Sequence, residues 1–417
     1  MMAQLAAASR RKFLPRNVLI VGGARTPMGG FLSAFKSVPA HVLGSVAISG
    51  ALRRAGLEPE QAEQVIIGQV LPAGCGQAPH RQASLLAGIP SHVDVCGVNK
   101  VCASGLKALC VAANAVALQQ CDTAVAAGME SMSSVPYLLQ KLRSGGQRLG
   151  HAEVKDGLLL DGLWDPYNNV HMGLCTERVA QRECVSRTEQ DAYAVESYKR
   201  AAHAWKSKVM EQEGIECVPI PSSEKPSSSL LLHQRTEEQV ISEDEEFHKI
   251  KLDKVAALKP TFKKEGTITA ANASKLSDGA AAAVLMAEEQ VVALDLQPLA
   301  RIVSFADAAV APAEFPLAPE LAIRKALHLA GLPTADFYEI NEAFAAVVLM
   351  NARRLGLDLS RVNVHGGAIS LGHPLGASGL RIVLSLINVL RCHNARYGCA
   401  AICNGGGGAT ALVLERL

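Results

Sequence analysis

Aromatic side chains are scarce: 2 Trp, 6 Tyr and 9 Phe make up 4% of 417 residues. The interior must therefore be built mainly from aliphatic side chains. A hydrophobic content of 49% with 35 glycines points to a large α/β core with tight turns. Excess charge of either sign is also missing, since 41 Lys and Arg against 39 Asp and Glu leave +2. With no basic stripe interleaved with aromatics, nucleic acid is not an expected partner. No uncharged apolar run reaches the roughly 18 residues of a membrane span. The 11 cysteines are dispersed and include no C-x-x-C pair, which argues against a disulfide framework or zinc and for a reducing compartment. Acidic residues are absent from residues 1–17, where Arg10, Arg11, Lys12 and Arg16 stand with Ser9. Such a segment reads as a mitochondrial targeting sequence, the alternative being a basic tail on a cytoplasmic protein.

What is present is regular and repeated. A chain this long predicts two similar units plus insertions. Val18–Val21 reads as a buried strand, residues 43–55 as a helix stopped by Gly56, and 65–70 as the next strand. Residues 82–87 read as a short helix and 123–127 as a strand. The pattern Ala47-Ile48-x-x-Ala51-Leu52-x-x-Ala55-Gly56-Leu57 recurs as Ala322-Ile323-x-x-Ala326-Leu327-x-x-Ala330-Gly331-Leu332, each between two predicted strands. The order of strands, helices and reactive turns recurs with it, so the chain reads as two duplicated α/β halves. The boundaries are 18–136 for the first half, 137–250 for an inserted loop domain, 251–298 for the return to the first half, and 299–417 for the second. Within the insertion, 189–208 reads as a helix, 219–229 as a Pro/Ser-rich surface loop, and the acids from Glu243 to Glu246 as a solvated face.

The stretch Val98-Asn-Lys-Val-Cys-Ala-Ser-Gly-Leu-Lys107 carries the strongest chemical signal. An apolar run leads to Cys102, and small residues then open a helix over 106–118. At a helix N-terminus the dipole and free backbone N–H groups favour thiolate, the nucleophilic form. A buried structural cysteine is the commonest alternative. In the second half, the strand Tyr338-Glu-Ile340 runs into Asn341-Glu-Ala-Phe344, the counterpart of the Cys102 turn. The loop Gly366-Gly-Ala-Ile-Ser-Leu-Gly-His-Pro-Leu-Gly-Ala-Ser-Gly379 presents His373 ahead of a helix over 380–390. A strand over 400–403 then ends at Cys403, before Asn404 and a run of four glycines.

Taken together, N-K-V-C-A-S-G, G-M-E-S-M-S, H-M-G at 171–173, A-A-N-A-S at 270–274, N-E-A-F, G-H-P-L-G-A-S-G and C-N-G-G-G-G resemble the thiolases. They are most similar to the acetoacetyl-CoA thiolases (acetyl-CoA C-acetyltransferases), in their mitochondrial, potassium-activated branch. The resemblance implies an α/β thiolase fold, with two duplicated halves carrying mixed five-stranded sheets in layers of helices, plus a loop domain. It further implies a homotetramer with no prosthetic group, which condenses two acetyl-CoA reversibly to acetoacetyl-CoA and CoA. A broader-range 3-ketoacyl-CoA thiolase is the alternative.

By this resemblance Cys102 is the acyl acceptor, His373 its base, and Cys403 the acid/base at the α-carbon. Asn341 would hold an oxyanion-hole water beside His373, and the N–H groups of Cys102 and Gly405 would form the other hole. Coenzyme A would lie along Tyr198, Lys249, Ile250, Lys251, Lys254 and Ser274, with His171 and Met172 lining the acyl pocket. Potassium would be held by the Tyr198 hydroxyl and the backbone oxygens of Ala270, Ala271, Ala273 and Ile369, oxygen ligands suited to a hard cation. A cysteine hydrolase would have no use for Cys403 or for the duplication. A silent acyl-CoA binder would have lost a reactive residue, and a ketoacyl synthase typically has histidine in place of Cys403.

Overall fold

The computed structural model describes residues 13–140, 142–143, 149–221 and 238–417. Among the described residues the main sheet has ten strands, a two-residue one at Gly29–Gly30 that pairs only with Ser277 and Asp278, and nine in one run: β1 (Val18–Arg25), β2 (Gln64–Gly68), β3 (Asp94–Val98), β4 (Thr123–Ser131), β5 (Ser277–Ala287), β6 (Ala300–Ala309), β7 (Phe337–Ile340), β8 (Tyr397–Asn404) and β9 (Gly408–Arg416). Their spatial order is β7-β8-β9-β6-β1-β5-β4-β2-β3. Read outward from the centre, the first half runs β1-β5-β4-β2-β3 and the second β6-β9-β8-β7. Antiparallel pairs come first in each half and parallel pairs last. A fifth strand in the second half is reduced to one bridge, between Tyr338 and Val362. The halves join edge to edge where Leu19 and Ile20 pair with Arg301 and Ala300.

The helices repeat as well. α1 (Ala40–Ala55) and α6 (Ala318–Ala330) carry the duplicated sequence. Each ends on a left-handed glycine, Gly56 at φ 69° and Gly331 at φ 69°, a conformation that glycine adopts without steric penalty. Both cover outer sheet faces, α1 on the first half and α6 on the second. On the inner face lie α3 (Ser104–Ala117) and α8 (Leu375–Cys392), which share one core with inward side chains from both halves. Other helices are α2 (Pro79–Leu86), α4 (Met172–Arg182), α5 (Arg187–Lys206) and α7 (Ala345–Leu355), with two short ones at Glu246–Lys249 and Glu288–Ala293. α5 opens on a capping box, in which Ser186 and Glu189 satisfy each other's backbone N–H groups.

Three expectations change. α8 begins at Leu375, five residues earlier than expected, because Gly376 and Gly379 serve close packing rather than a loop. A Cβ on Gly379 would meet Leu106 N at 2.2 Å, and one on Gly105 would meet Gly376 O at 2.6 Å, so α3 and α8 touch backbone to backbone. The acids 243–246 are not simply solvated: fully buried Asp244 accepts two bonds from the buried Arg25 guanidinium, at 2.8 and 2.9 Å. A buried cation requires such a partner. Finally, folded structure begins inside the basic N-terminal segment. Leu14 is buried, Phe13 packs edge-on to Phe305, and Arg16 pairs with Asp122 at 2.7 Å and Glu289 at 3.0 Å. Residues 1–12 lie outside the described residues, as does the Pro/Ser-rich stretch from 222 on. α8 is long and apolar enough to cross a membrane by composition, yet 89% of it is buried inside this fold.

Candidate active site

The nucleophile turn is wired by its own side chains. Asn99 Oδ1 accepts from Val101 N–H at 3.0 Å, while Asn99 Nδ2 donates to Val70 O at 3.2 Å. Ser104 Oγ accepts from Lys100 N–H at 2.8 Å and donates to Val101 O at 2.6 Å. These bonds hold Val101 at φ 48°, which costs a β-branched residue on the order of 1–3 kcal/mol. The resulting sharp turn delivers Cys102 two residues ahead of α3. From the second half, Asp307 anchors this turn by accepting from Lys100, from Lys107 at 2.6 Å and from Thr410 Oγ1 at 2.7 Å. Partial burial pushes the Asp307 carboxyl up, but these three donors hold it down at about 2.

Cys102 is buried, and burial pushes its thiol up to about 12. The backbone N–H groups of Gly405 and of Cys102 itself point at the sulfur and work in the opposite direction. The N–H donors favour thiolate as expected, but lost hydration outweighs them and favours the thiol. Cys403 is equally buried, and its thiol is pushed up by burial and then by the neighbouring Cys102. It shares an apolar cluster with Met172, Ile268, Phe344 and Val347. A Cβ on Gly405 would meet Val101 Cγ1 at 3.4 Å and Met172 Sδ at 3.6 Å. Glycine there keeps the space over the two thiols open.

His373 stands two residues ahead of α8. Its Nδ1 is 2.6 Å from Ser378 Oγ, and the Ser378 hydroxyl donates to Pro374 O at 2.8 Å. One hydroxyl proton cannot serve both, so Nδ1 carries the ring proton and Nε2 keeps its lone pair. Nε2 faces Asn341 Nδ2 at 3.4 Å, and Asn341 Oδ1 accepts from Arg381 Nη2 at 3.4 Å, which fixes the amide orientation. Burial and then the Arg381 charge push His373 down to about 3, so it is neutral. Cys399, two strand periods before Cys403, is buried in the outer core of the second half.

Sequence reasoning missed the scaffold of this site. Glu130 accepts from the N–H groups of Val70, Leu71 and Gly376 at 3.0, 3.1 and 3.0 Å. Burial pushes it up to about 7 while those three donors pull it down. Glu342 accepts from Tyr193 Oη at 2.8 Å, Ser197 Oγ at 2.9 Å and Ile369 N–H at 3.0 Å. Glu130, Glu342, Ser378 and Arg381 all lie in or beside the quoted motifs. Their one signal was a polar residue in an otherwise apolar or small-residue run.

The expected coenzyme A residues are spread more widely. His171 caps α4 by accepting from Gly173 N–H at 2.9 Å, and its ring stacks on Phe262 at 4.6 Å. Met172 lies in the Cys403 cluster. Ser274 N–H donates to Ala343 O at 3.1 Å. Lys249, Lys251 and Lys254 are exposed and Ile250 is half-buried, with Lys249 paired to Glu246 at 2.7 Å. These four stand at the surface rather than in the thiol chamber.

The expected potassium ligand set is partly engaged by a side chain of the chain itself. Tyr198 Oη is buried without a hydrogen-bond partner among the described residues, as a cation site would require. Lys275, however, donates to Ala270 O through Nζ, which also lies 5.8 Å from the Tyr198 ring centroid. Of the set Tyr198, Ala270, Ala271, Ala273 and Ile369, Lys275 thus already occupies one oxygen, that of Ala270, with its own positive charge.

Comparison with known proteins places the chain. Family models match over residues 18–289 (Thiolase, N-terminal domain) and 296–416 (Thiolase, C-terminal domain). Acetyl-CoA acetyltransferase 2 of Arabidopsis thaliana is 48% identical, over 97% of this chain and 98% of that protein. The mitochondrial acetyl-CoA acetyltransferase of Rattus norvegicus is 47% identical, over 96% and 91%. Among solved structures, an Ascaris suum thiolase (Acat5) in complex with coenzyme A is 40% identical with TM-score 0.87, covering 96% of this chain and 100% of its own. The acetyl-CoA acetyltransferase of Syntrophomonas wolfei is 37% identical with TM-score 0.90, at the same coverages. With both domains matched across nearly all of its length, the chain belongs to the thiolase family.

Proposed function

We propose that this chain is an acetyl-CoA C-acetyltransferase that works by ping-pong acyl transfer through Cys102. The observation that carries the reading is the convergence of two backbone N–H groups, from Cys102 and Gly405, on one buried sulfur with the Cys403 thiol beside it. That arrangement suits a tetrahedral oxyanion. In the first step His373 Nε2 takes the Cys102 proton as sulfur attacks the thioester carbonyl. The C–S bond to coenzyme A then breaks, and the departing CoA takes the Cys403 proton, leaving acetyl-Cys102, a Cys403 thiolate and protonated His373. In the second step the Cys403 thiolate removes the α-proton of another acetyl-CoA. The enolate oxygen is held on the Asn341–His373 side, and its carbon attacks acetyl-Cys102. Collapse breaks the bond between the acetyl carbon and the Cys102 sulfur, His373 returns its proton to that sulfur, and acetoacetyl-CoA is released.

The relatives' names support this reading, and two of them bear on its finer points. Coenzyme A is bound in the Ascaris suum structure, consistent with CoA as substrate and product here. The Rattus norvegicus protein is mitochondrial by name, and residues 1–12 retain Arg10, Arg11 and Lys12 with no acid. We assign the chain to mitochondria on that basis. A reporter fused to residues 1–17 that stays diffuse in the cytosol would reject the assignment. A homotetramer is consistent with the exposed edge strand β3 and with exposed Tyr137, Leu149 and Tyr167 in the insertion.

The two cysteines separate the steps. Cys102→Ala removes the acyl acceptor and should abolish both acetyl exchange and carbon–carbon cleavage. Cys403→Ser leaves the acceptor, His373 and oxyanion donors in place, so acetyl-CoA should still acetylate Cys102. Condensation and acetoacetyl-CoA cleavage should be lost. Mass spectrometry of the trapped acyl-enzyme checks this: acetyl on Cys403, or wild-type condensation by Cys403→Ser, would show the roles to be wrong.

A further inference from the structure

Lys275 ties three parts of the site together. Its N–H donates to Ala368 O at 3.4 Å, and its carbonyl accepts from His373 N–H at 3.0 Å. Its side chain turns back over the preceding loop, where Nζ donates to Ala270 O and lies 5.8 Å from the Tyr198 ring centroid. A cation near an aromatic face is drawn to the ring quadrupole. The surroundings ask for positive charge: Glu246 and Glu342 both bear on the buried Tyr198 hydroxyl, and Glu246 bears on Lys275. That hydroxyl has no partner among the described residues.

We propose that the Lys275 ammonium is the resident cation of the loop over 270–274, taking the place of a potassium ion and ordering that loop without any monovalent salt. The consequence for coenzyme A binding rests on the acetyltransferase reading; the consequence for stability does not. An ammonium bonded to Ala270 O competes with a potassium ion for that oxygen and repels the ion. A tethered charge also cannot be diluted away, so the loop should be equally ordered in sodium and potassium salts.

The test uses the full chain at neutral pH and matched ionic strength in NaCl, KCl and LiCl. It reads Tm and the kcat/KM of CoA-dependent acetoacetyl-CoA cleavage. Wild type should give the same Tm and kcat/KM in NaCl and KCl. Lys275→Met keeps a long side chain without the charge; in NaCl its Tm should fall and its KM for CoA should rise several-fold. KCl should restore both, and LiCl should not. Lys275→Arg should keep its charge and stay indifferent to the salt. Clear potassium activation or stabilisation of wild type overturns the proposal. So does a Lys275→Met variant indistinguishable from wild type, or one whose loss no alkali cation rescues. If Lys275→Met fails to fold, the wild-type comparison decides alone. A folded wild type that does not cleave acetoacetyl-CoA rejects the acetyltransferase reading and leaves the Tm comparison to judge Lys275.

Discussion

Ser378 should control the first chemical step without touching substrate. In Ser378→Ala, His373 Nδ1–H loses an acceptor at 2.6 Å in a fully buried setting. An orphaned buried donor costs about 1–3 kcal/mol. The ring can escape that cost only by moving its proton to Nε2. There it would face the Asn341 amide NH2 at 3.4 Å, donor against donor, and would no longer offer a lone pair to Cys102. Either outcome raises the barrier for deprotonating Cys102, by roughly 5- to 150-fold in rate. Rapid-quench acetylation of Cys102 by acetyl-CoA measures this directly. Histidine 15N chemical shifts add a readout that loss of stability alone would not move: wild-type His373 should be the Nδ1–H tautomer, and the variant a mixture. Wild-type acetylation by Ser378→Ala, or an Nε2–H tautomer in wild type, would refute the reasoning.

Two further outcomes follow from the charges around Cys102. Burial raises its thiol to about 12, so little thiolate exists at neutral pH; alkylation of free enzyme by iodoacetamide should climb tenfold per pH unit, and a plateau below pH 8 would contradict this. Asp307→Asn removes the carboxylate that Lys100 and Lys107 share. Since Asp307 is partly exposed, the loss should be about 1 kcal/mol or less, read as a Tm lowered by a few degrees at most, with slower acetylation from a loosened turn.

The fold was legible wherever periodicity and glycine stops agree. The duplicated pattern ending at Gly56 and Gly331 located α1 and α6 because the left-handed stop is a local property of the chain. Residues 375–379 were misread because the glycines that usually mark loops here let two helices touch, a tertiary cause with no local trace. The same division runs through the site. The turn at Cys102 is local, and its flanking residues announced it. The thiol's protonation state is not local, since it depends on what excludes water from it. Lys275 shows the limit most sharply: the motif before it suggested backbone oxygens around an ion, while the residue that supplies the charge stood next in the sequence.

The duplication also explains why the chemistry is lopsided. Cys102 stands two residues ahead of α3, and His373 two residues ahead of α8, so the counterpart of the Cys102 turn is the His373 loop and not Asn341–Phe344 as expected from sequence. The residue after β2 is Gln69 and the residue after β7 is Asn341, both buried. The ends of the equivalent strands β4 and β8 carry Glu130 and Cys403. In the pairs Gln69/Asn341 and Glu130/Cys403 only the second-half residue is given chemistry, which frees the other to hold the two halves in register. Glu130 does so by bonding Val70 and Leu71 of its own half and Gly376 of the other. A second thiol in its place would offer no acceptor strong enough for three buried N–H groups, and the loop that aims His373 would keep only its ties to Lys275 and Ser277 in the half that carries Cys102.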